Sequence, residues 1–457
     1  MRFFPLLVIS LLLVCGLSQA ETKPLRGATL SYIGPVSQAN SQQLLVPAST
    51  LKIVTATAAM KILGADFRFN TQLSIKLSEQ GLDLHLHMSG DPSLSSKDLN
   101  ALLTRAFSRY GKKIHSITID DGVFSGHNRS RGQVWNDIGI CFASPVSALN
   151  IDGNCINGNL KPGKIGQLSD LHISDPSLLN MDNQIMTVAA DTADCEQRLV
   201  VKDHNHYQLS GCIPKNAKMM PLRFSITDEH RYFSLKLGRV LAQLGAKYSG
   251  QIQYRSRLAP FPTVFTHQSV PLIDLLKFML VESDNLTADS IFKSLAAAQG
   301  RKASYAVASK IVLAQLTALG LDVSQVVMRD GSGLSRENLI SAELLYQLLQ
   351  RWQTDPQLQV LPSILAIAGE NGTLKYRRSV TKSPLKHHIH AKSGYVTGVM
   401  NLVGFIEKQG HLSPFVFMSN GVALNEQQRQ AVKERRVVHP ILVYERDWLE
   451  KQWQALN

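Results

Sequence analysis

The sequence predicts an α+β fold, in which a helical cluster lies beside an antiparallel sheet and a long β-rich region interrupts the two. Three observations predict it. Residues 49–63 place Leu51, Val54, Ala58 and Leu63 at near-helical intervals. From Phe67 to about Ser225 the texture changes to alternating apolar and polar stretches broken by turn residues. Beyond that, segments of helical period give way to strand-like segments near the C-terminus.

The first helix follows Pro47-Ala48, with Ser49 as its first residue. Within the β-rich region, Phe69–Leu77, Leu82–Met88 and Ile114–Ile119 read as strands, and Lys97–Tyr110 as an amphipathic helix. Helical segments follow at Asp228–Ala246, Leu272–Val281, Leu286–Ala297, Ala303–Leu319 and Ala342–Trp352. Strands then resume at Ile389–Lys392, Gly398–Glu407 and Pro414–Met418, before a closing helix through Trp448 to Leu456. No internal repeat or low-complexity tract is visible, and the two ends of the chain are expected to share one domain. The apolar residues of the closing helix suit packing on that domain; Glu445, Asp447 and Glu450 dilute the basic face that a membrane-surface helix needs, so any membrane contact is peripheral.

The chain has 457 residues, of which 44% are hydrophobic and 18% charged, a mix that excludes disorder and a multi-span membrane protein. Its net charge of +13 suits an anionic environment: nucleic acid, an acidic membrane or an acidic wall polymer. Nucleic acid is disfavoured, because no basic run with interleaved aromatics and no zinc-finger spacing appears. The N-terminus points to export. Met1-Arg2, the apolar run Phe3–Leu17 and the small residue closing Ser18-Gln19-Ala20 have the pattern of a secretory signal peptide over 1–20. Cys15 invites a lipoprotein reading, but Val14 stands where a small residue is expected. The other four cysteines, Cys141, Cys155, Cys195 and Cys212, suit two disulfides in an exported chain. Three pairings are open, and closing short loops favours Cys141 with Cys155 and Cys195 with Cys212. No Cys-x-x-Cys pair supports a metal site. The groups His85/His87, His204/His206 and His387/His388/His390 lack an arranged third ligand and read as solvated strand histidines, so no metal or cofactor is expected.

Ser49-Thr50-Leu51-Lys52 puts a hydroxyl and an amine on one helical face, a nucleophile beside a base. The spacing alone is common: Ser290/Lys293, Ser379/Lys382 and Ser383/Lys386 share it. Ser49 differs by its place at a helix N-terminus, where free N–H groups can stabilise an oxyanion, and by the apolar helix that would bury Lys52. A desolvated lysine loses proton affinity and can act as a base. Ser283-Asp284-Asn285 follows the apolar run Leu272–Val281, and Lys392-Ser393-Gly394 lies in a strand-like segment before Tyr395. Taken singly, these are a turn and an edge-strand lysine.

Together and in this order, Ser-x-x-Lys, Ser-x-Asn and Lys-Ser-Gly form the motif set of penicillin-binding proteins and class A β-lactamases. The gap from Ser49 to Ser283 has room for whole domains at about 100–200 residues each. With that gap the chain resembles the class C low-molecular-mass penicillin-binding proteins, the D-alanyl-D-alanine carboxypeptidase/endopeptidase family of the type-4, DacB kind. Matching stretches include Leu45–Lys52, Gly90–Leu94, Trp135–Asp137, Pro145–Asn150 and Asp330–Ser335, and the resemblance runs over essentially the whole mature chain. It implies a penicillin-binding/serine β-lactamase-like transpeptidase domain, an antiparallel sheet with helices, over 21–65 and 260–457. Two β-rich domains would be inserted, one over 66–90 and 165–259, the second nested at 91–164. Ser393 departs from the Thr usual in the family, keeping a hydroxyl and losing a methyl; the sequence after it, Tyr395-Val396-Thr397, also departs and leaves substrate preference open.

The resemblance also implies a periplasmic serine D,D-peptidase acting on peptidoglycan stem peptides, acylated by β-lactams, and it allows a homodimer. Ser49 would be the nucleophile, Lys52 its base and Ser283 a proton relay, with Asn285, Lys392, Ser393, Gly394 and Tyr395 binding substrate. Lys392 and the positive helix end would help keep Lys52 neutral. Two competing readings are a serine β-lactamase or esterase, which needs rapid deacylation, and a catalytically silent wall-binding protein.

Overall fold

The computed structural model describes residues 27–256 and 258–456; the expected signal peptide and Cys15 lie outside the described residues. The central element is a six-stranded antiparallel sheet in the order Ala366–Ile367, Ile389–Val396, Val399–Lys408, His411–Asn420, Thr29–Ile33, Gln38–Ala39. Thr29–Ile33 pairs with Val416–Asn420, so both ends of the chain build one sheet, as expected.

Alternation along His411–Asn420 assigns its two faces. Phe415 and Phe417 pack with Ile441, Trp448 and Leu449 of the closing helix Pro440–Ala455. Each large apolar side chain buried there contributes roughly 1.5–3 kcal/mol. Val416 and Met418 face the other way, into helices Lys52–Ile62, Leu272–Val281, Asn285–Ala298, Tyr305–Ala318 and Ala342–Thr354. The sheet is therefore sandwiched between one helix and a cluster. Lys52–Ile62 lies at the centre of that cluster, and every residue from Lys52 to Met60 is buried. This is the apolar helix expected to bury Lys52: a helix apolar around its circumference is a core helix.

The insertion holds two further assemblies. A mixed five-stranded sheet runs Gln253–Arg255, Ile114–Asp120, Gly81–His87, Asn70–Ser78, Thr263–Gln268 and packs on helices Ser96–Tyr110 and Glu229–Gln243. Ser95 and Asp98 start the first of these helices with a reciprocal capping box. Two three-stranded sheets follow, one of Cys155–Lys161, Asp170–Ile173 and Met220–Ser225, the other of Asn180–Val188, Gln197–Lys202 and His206–Pro214. Helix Ser96–Tyr110 and strand Ile114–Asp120 fall inside 91–164, the stretch expected to nest as its own unit, yet they complete the sheet of residues 70–87. The cause is the parallel pairing of Ile114–Asp120 with Gly81–His87, a long-range choice that alternation does not specify.

The core between the small sheets is slight, with Leu160, Ile185, Leu209 and Ile213 at its centre. Disulfides Cys141–Cys155 and Cys195–Cys212 tie this region, in the neighbour pairing favoured by loop length. His204, His206 and His387 each pair with a single carboxylate, Asp228, Asp182 and Glu370 respectively.

One buried ion pair locks the closing helix to the turn-rich segment that precedes strand Ile389–Val396. Arg377 donates from Nε and Nη2 to the carboxylate of Glu445, which is fully buried and also accepts from Ser379 Oγ at 2.6 Å. Replacing Arg377 with Met leaves that carboxylate buried and unpaired, at a cost of roughly 3–5 kcal/mol. The expected result is a clearly lowered thermal midpoint, with much of the loss recovered when Glu445→Gln is added.

Candidate active site

The nucleophile turn is built before the long helix starts. Ala48–Leu51 is a 3-10 turn running directly into Lys52–Ile62, so Ser49 sits in the tight entry turn rather than at the first α-helical residue. Two asparagines hold the turn on the sheet. Asn401 Nδ2 donates to Val46 O and Pro47 O at 3.0 and 2.8 Å, and Asn420 accepts from Val46 N at 2.9 Å. Ala48 takes a φ of 47°, a left-handed backbone that an L-residue adopts only when its surroundings enforce it.

Lys52 is completely buried, and its Nζ donates to Ser49 Oγ at 3.1 Å, Asn285 Oδ1 at 2.6 Å and Ser332 O at 2.6 Å. Burial lowers its pKa to about 8, against the opposing fields of Asp289, Asp284 and Asp330. Burial is thus the leading cause, as the apolar helix led one to expect, while the expected help from Lys392 is not among the contributions that act on Lys52.

Ser283-Asp284-Asn285 joins two helices. Asp284 caps the second, its Oδ1 accepting from Thr287 N at 2.7 Å, which leaves Ser283 and Asn285 free to face the cavity. Ser283 has a φ of 62°, a second left-handed residue at the site. Lys392 Nζ donates to Ser283 Oγ at 2.8 Å and to Ser393 O at 2.8 Å. Burial, then the charges of Lys52 and Arg377, pushes Lys392 well below the ordinary lysine value. Ser393 Oγ donates to Thr373 Oγ1 at 2.7 Å.

Strand Ile389–Val396 presents this third motif along a free edge. Its outer neighbour Ala366–Ile367 pairs only with His390 and Ala391, and beyond them the edge faces the nucleophile turn. Gly394 makes the approach: a Cβ there would lie 2.7 Å from Pro47 O and 3.2 Å from Thr50 N. Gly333 does the same from a second direction, with φ +82° and a would-be Cβ only 1.8 Å from Ala48 O.

The folded chain therefore brings Ser49, Lys52, Ser283, Asn285, Lys392, Ser393, Gly394 and Tyr395 together. It also adds residues that sequence reasoning passed over. A cavity of about 300 Å³ is lined by Ser49, Ser283, Asn285 and Tyr395, and also by Asp137, Phe142 and Arg336. Asp137 and Phe142 come from the insertion, and Asn285 Nδ2 donates to Phe142 O at 2.8 Å. Asp330 organises the turn 330–335, accepting from Gly333 N at 2.9 Å, Ser335 N at 2.7 Å and Ser130 Oγ at 2.8 Å. Asp289 accepts from Gly331 N at 2.8 Å, and its burial beside Asp330 raises its pKa. An acid amid Leu286, Ala288, Ile291 and Phe292 was a legible anomaly in the sequence; Asp137 stood in the matching stretch Trp135–Asp137 but was given no role there, and nothing local marks Phe142.

A central antiparallel sheet backed by helices, with serine–lysine pairs meeting at its edge, defines the penicillin-binding-protein class of fold. The model of the D-Ala-D-Ala carboxypeptidase 3 (S13) family matches residues 31–439, and the chain belongs to that family. D-alanyl-D-alanine carboxypeptidase DacB of Haemophilus influenzae is 32% identical over 421 residues, covering 90% of this chain and 87% of that one. The D-alanyl-D-alanine carboxypeptidase of Actinomadura sp. is 26% identical over 409 residues, covering 84% and 75%. Among solved structures, penicillin binding protein 4 (dacB) from Haemophilus influenzae superposes with a TM-score of 0.84 at 29% identity, covering 94% of this chain and 97% of that one. Its complex with a β-lactam gives 0.80 at 28% identity.

The close approach at Gly333 yields a direct test. Gly333→Ala forces a Cβ into the carbonyl of Ala48 at a left-handed φ, for a cost above about 1 kcal/mol. The expected outcome is a shifted nucleophile turn, read as a labelling rate by a serine-directed acylating probe at least about tenfold below wild type, since a small misplacement of reacting groups is that costly.

Proposed function

We propose that this protein is an exported serine D,D-peptidase of the periplasm that cleaves D-alanyl-D-alanine termini and D-alanyl cross-links of peptidoglycan through an acyl-Ser49 intermediate. The observation that carries the reading is the 3.1 Å contact between Ser49 Oγ and the fully buried Lys52 amine, whose lowered pKa suits a base. Neutral Lys52 takes the proton of Ser49 as Oγ attacks the carbonyl carbon between the two D-residues. N–H groups of Ser49 and Tyr395 receive the oxyanion; the unpaired strand edge at 393–396 supports this role. Ser283, joined to Lys392, passes a proton to the leaving amine as the C–N bond breaks. Water then hydrolyses the ester and frees Ser49.

Asn285 holds Lys52 and borders the substrate amide, while Lys392 and Ser393 receive the terminal carboxylate by charge and hydrogen bond. Gly394 lets the substrate strand lie along the edge. Asp137 and Arg336 put one acid and one base on the cavity wall, which suits a zwitterionic side chain such as that of meso-diaminopimelate. The protein is also proposed to be a target of β-lactams, whose strained amide meets the same serine.

Two predictions follow from the Ser49–Lys52 pair. Incubation with penicillin is expected to add one penicilloyl mass, mapped to Ser49 by peptide digestion; Ser49→Ala is expected to take none and to hydrolyse no stem peptide. Rapid loss of the adduct with penicillin turnover would point instead to a β-lactamase. Because the base must be unprotonated, the acylation rate is expected to be low at acidic pH and to rise through about 8 to a plateau. A rate flat from pH 6 to 10 would remove Lys52 from that role.

A further inference from the structure

We propose that a basic groove beside the nucleophile binds the carboxylate-bearing peptide on the leaving side of the scissile bond, making cross-linked dimers the better substrates. This rests on the D,D-peptidase reading above and adds to it a second binding region outside the catalytic cavity.

The groove has a volume of about 790 Å³, and its lining includes Lys375, Tyr376, Arg378, Tyr395, Arg435 and His439. No carboxylate lines it. Lys375, Arg378 and Arg435 are exposed, and none of them forms an ion pair among the described residues. The acids nearest in sequence are already engaged: Glu370 pairs with His387 and Glu434 with Arg436, and Glu445 is buried against Arg377. Cations that converge on a cavity without a partner repel one another, and an anion relieves that repulsion.

Position selects the occupant. Tyr395 lines both the groove and the catalytic cavity, so one ligand can run through both. Ser393 and Tyr395 share one face of strand Ile389–Val396 by alternation, and the Ser393 hydroxyl contacts Thr373, two residues before Lys375. The groove thus adjoins the catalytic cavity at Tyr395, beside the Ser393 that is read to bind the terminal carboxylate. A released D-alanine is far smaller than the groove, whose volume is that of a site for a much larger ligand. A cross-link releases a whole stem peptide carrying several carboxylates. Tyr376 and Tyr395, 80% and 66% exposed, offer flat apolar surfaces against which such a peptide can lie.

The test compares two substrates in wild type and in variants of Arg378 and Arg435, which touch neither Ser49 nor Lys52. The substrates are a cross-linked tetrapeptide–tetrapeptide muropeptide and a monomeric pentapeptide, with penicillin acylation reporting an intact fold and nucleophile. In R378E/R435E, kcat/KM for the dimer is expected to fall about tenfold while pentapeptide cleavage and acylation stay within about twofold, the scale of a few exposed charge contacts. The neutral pair R378Q/R435Q is expected to fall less, and the wild-type preference for dimer is expected to shrink at high salt. An equal fall on both substrates, or no fall in either pair of variants, overturns the groove. Weaker binding to intact sacculi with dimer cleavage unchanged assigns the groove to glycan and overturns the peptide assignment. A wild-type protein that takes no penicilloyl adduct and cleaves neither substrate overturns the peptidase reading itself, and the groove with it.

Discussion

A single buried amine sets the arrangement of the site. A protonated lysine offers three hydrogens, and Lys52 has three acceptors in reach: Ser49 Oγ, Asn285 Oδ1 and Ser332 O. These come from the nucleophile turn, the loop between two helices and the turn 330–335, so three distant stretches of chain must meet around one nitrogen. Loss of a proton leaves two donors and one lone pair. With Asn285 and Ser332 each accepting, the lone pair is left for Ser49, whose hydroxyl then becomes the donor. The geometry that satisfies the buried charge is also the geometry of a base.

Meeting at one nitrogen demands close backbone contact, and the sequence supplies it with glycine. Gly333 and Gly394 approach the nucleophile turn from opposite sides, each where a Cβ would overlap a main-chain carbonyl. Behind Gly333, Asp330 draws in four donors, Gly333 N, Ser335 N, Asn338 Nδ2 and, from the insertion, Ser130 Oγ. Asn285 reaches the insertion as well, through Phe142 O, next to the Cys141–Cys155 disulfide. The insertion is therefore bonded to the residues around the cavity at several points, Arg336 N to Gly132 O among them, and Asp137 and Phe142 lie on the cavity beside these bonds. A region stabilised by disulfides and a small core can hold such positions only while its covalent ties limit the alternatives open to the chain.

The sequence made the chemistry more legible than the architecture. Ser49, Lys52, Ser283, Asn285 and Lys392 could be named because each motif carries a hydroxyl or amine at a spacing that its local element converts into proximity. Helix Leu272–Val281 was legible to the residue, since its apolar run ends at a loop. Strand Ile389–Val396 was read as far as Lys392, with Lys392-Ser393-Gly394 in a strand-like segment; it runs on to Val396, and the close approach that Gly394 permits is made by the turn carrying Ser49. The parallel partner of Ile114–Asp120 and the place of Asp137 and Arg336 on the cavity wall were beyond reach, although Asp137 stood in a stretch already marked by the resemblance, as each depends on which surfaces meet after folding. The net charge was legible as a total, but the convergence of Lys375, Arg378 and Arg435 was not, for they lie on two segments more than fifty positions apart.

The two lysines give the site a further property. Lys392 is held well below its ordinary proton affinity by burial and by the charge on Lys52, and repulsion between two amines acts equally on both partners. An empty site therefore resists placing a proton on each. A carboxylate brought beside Ser393 would favour the charged form of Lys392, offsetting the desolvation that disfavours that charge in the empty site. The added anion and the added proton cancel in net charge, so Lys52 can stay the less protonated of the two amines while Lys392 carries the charge.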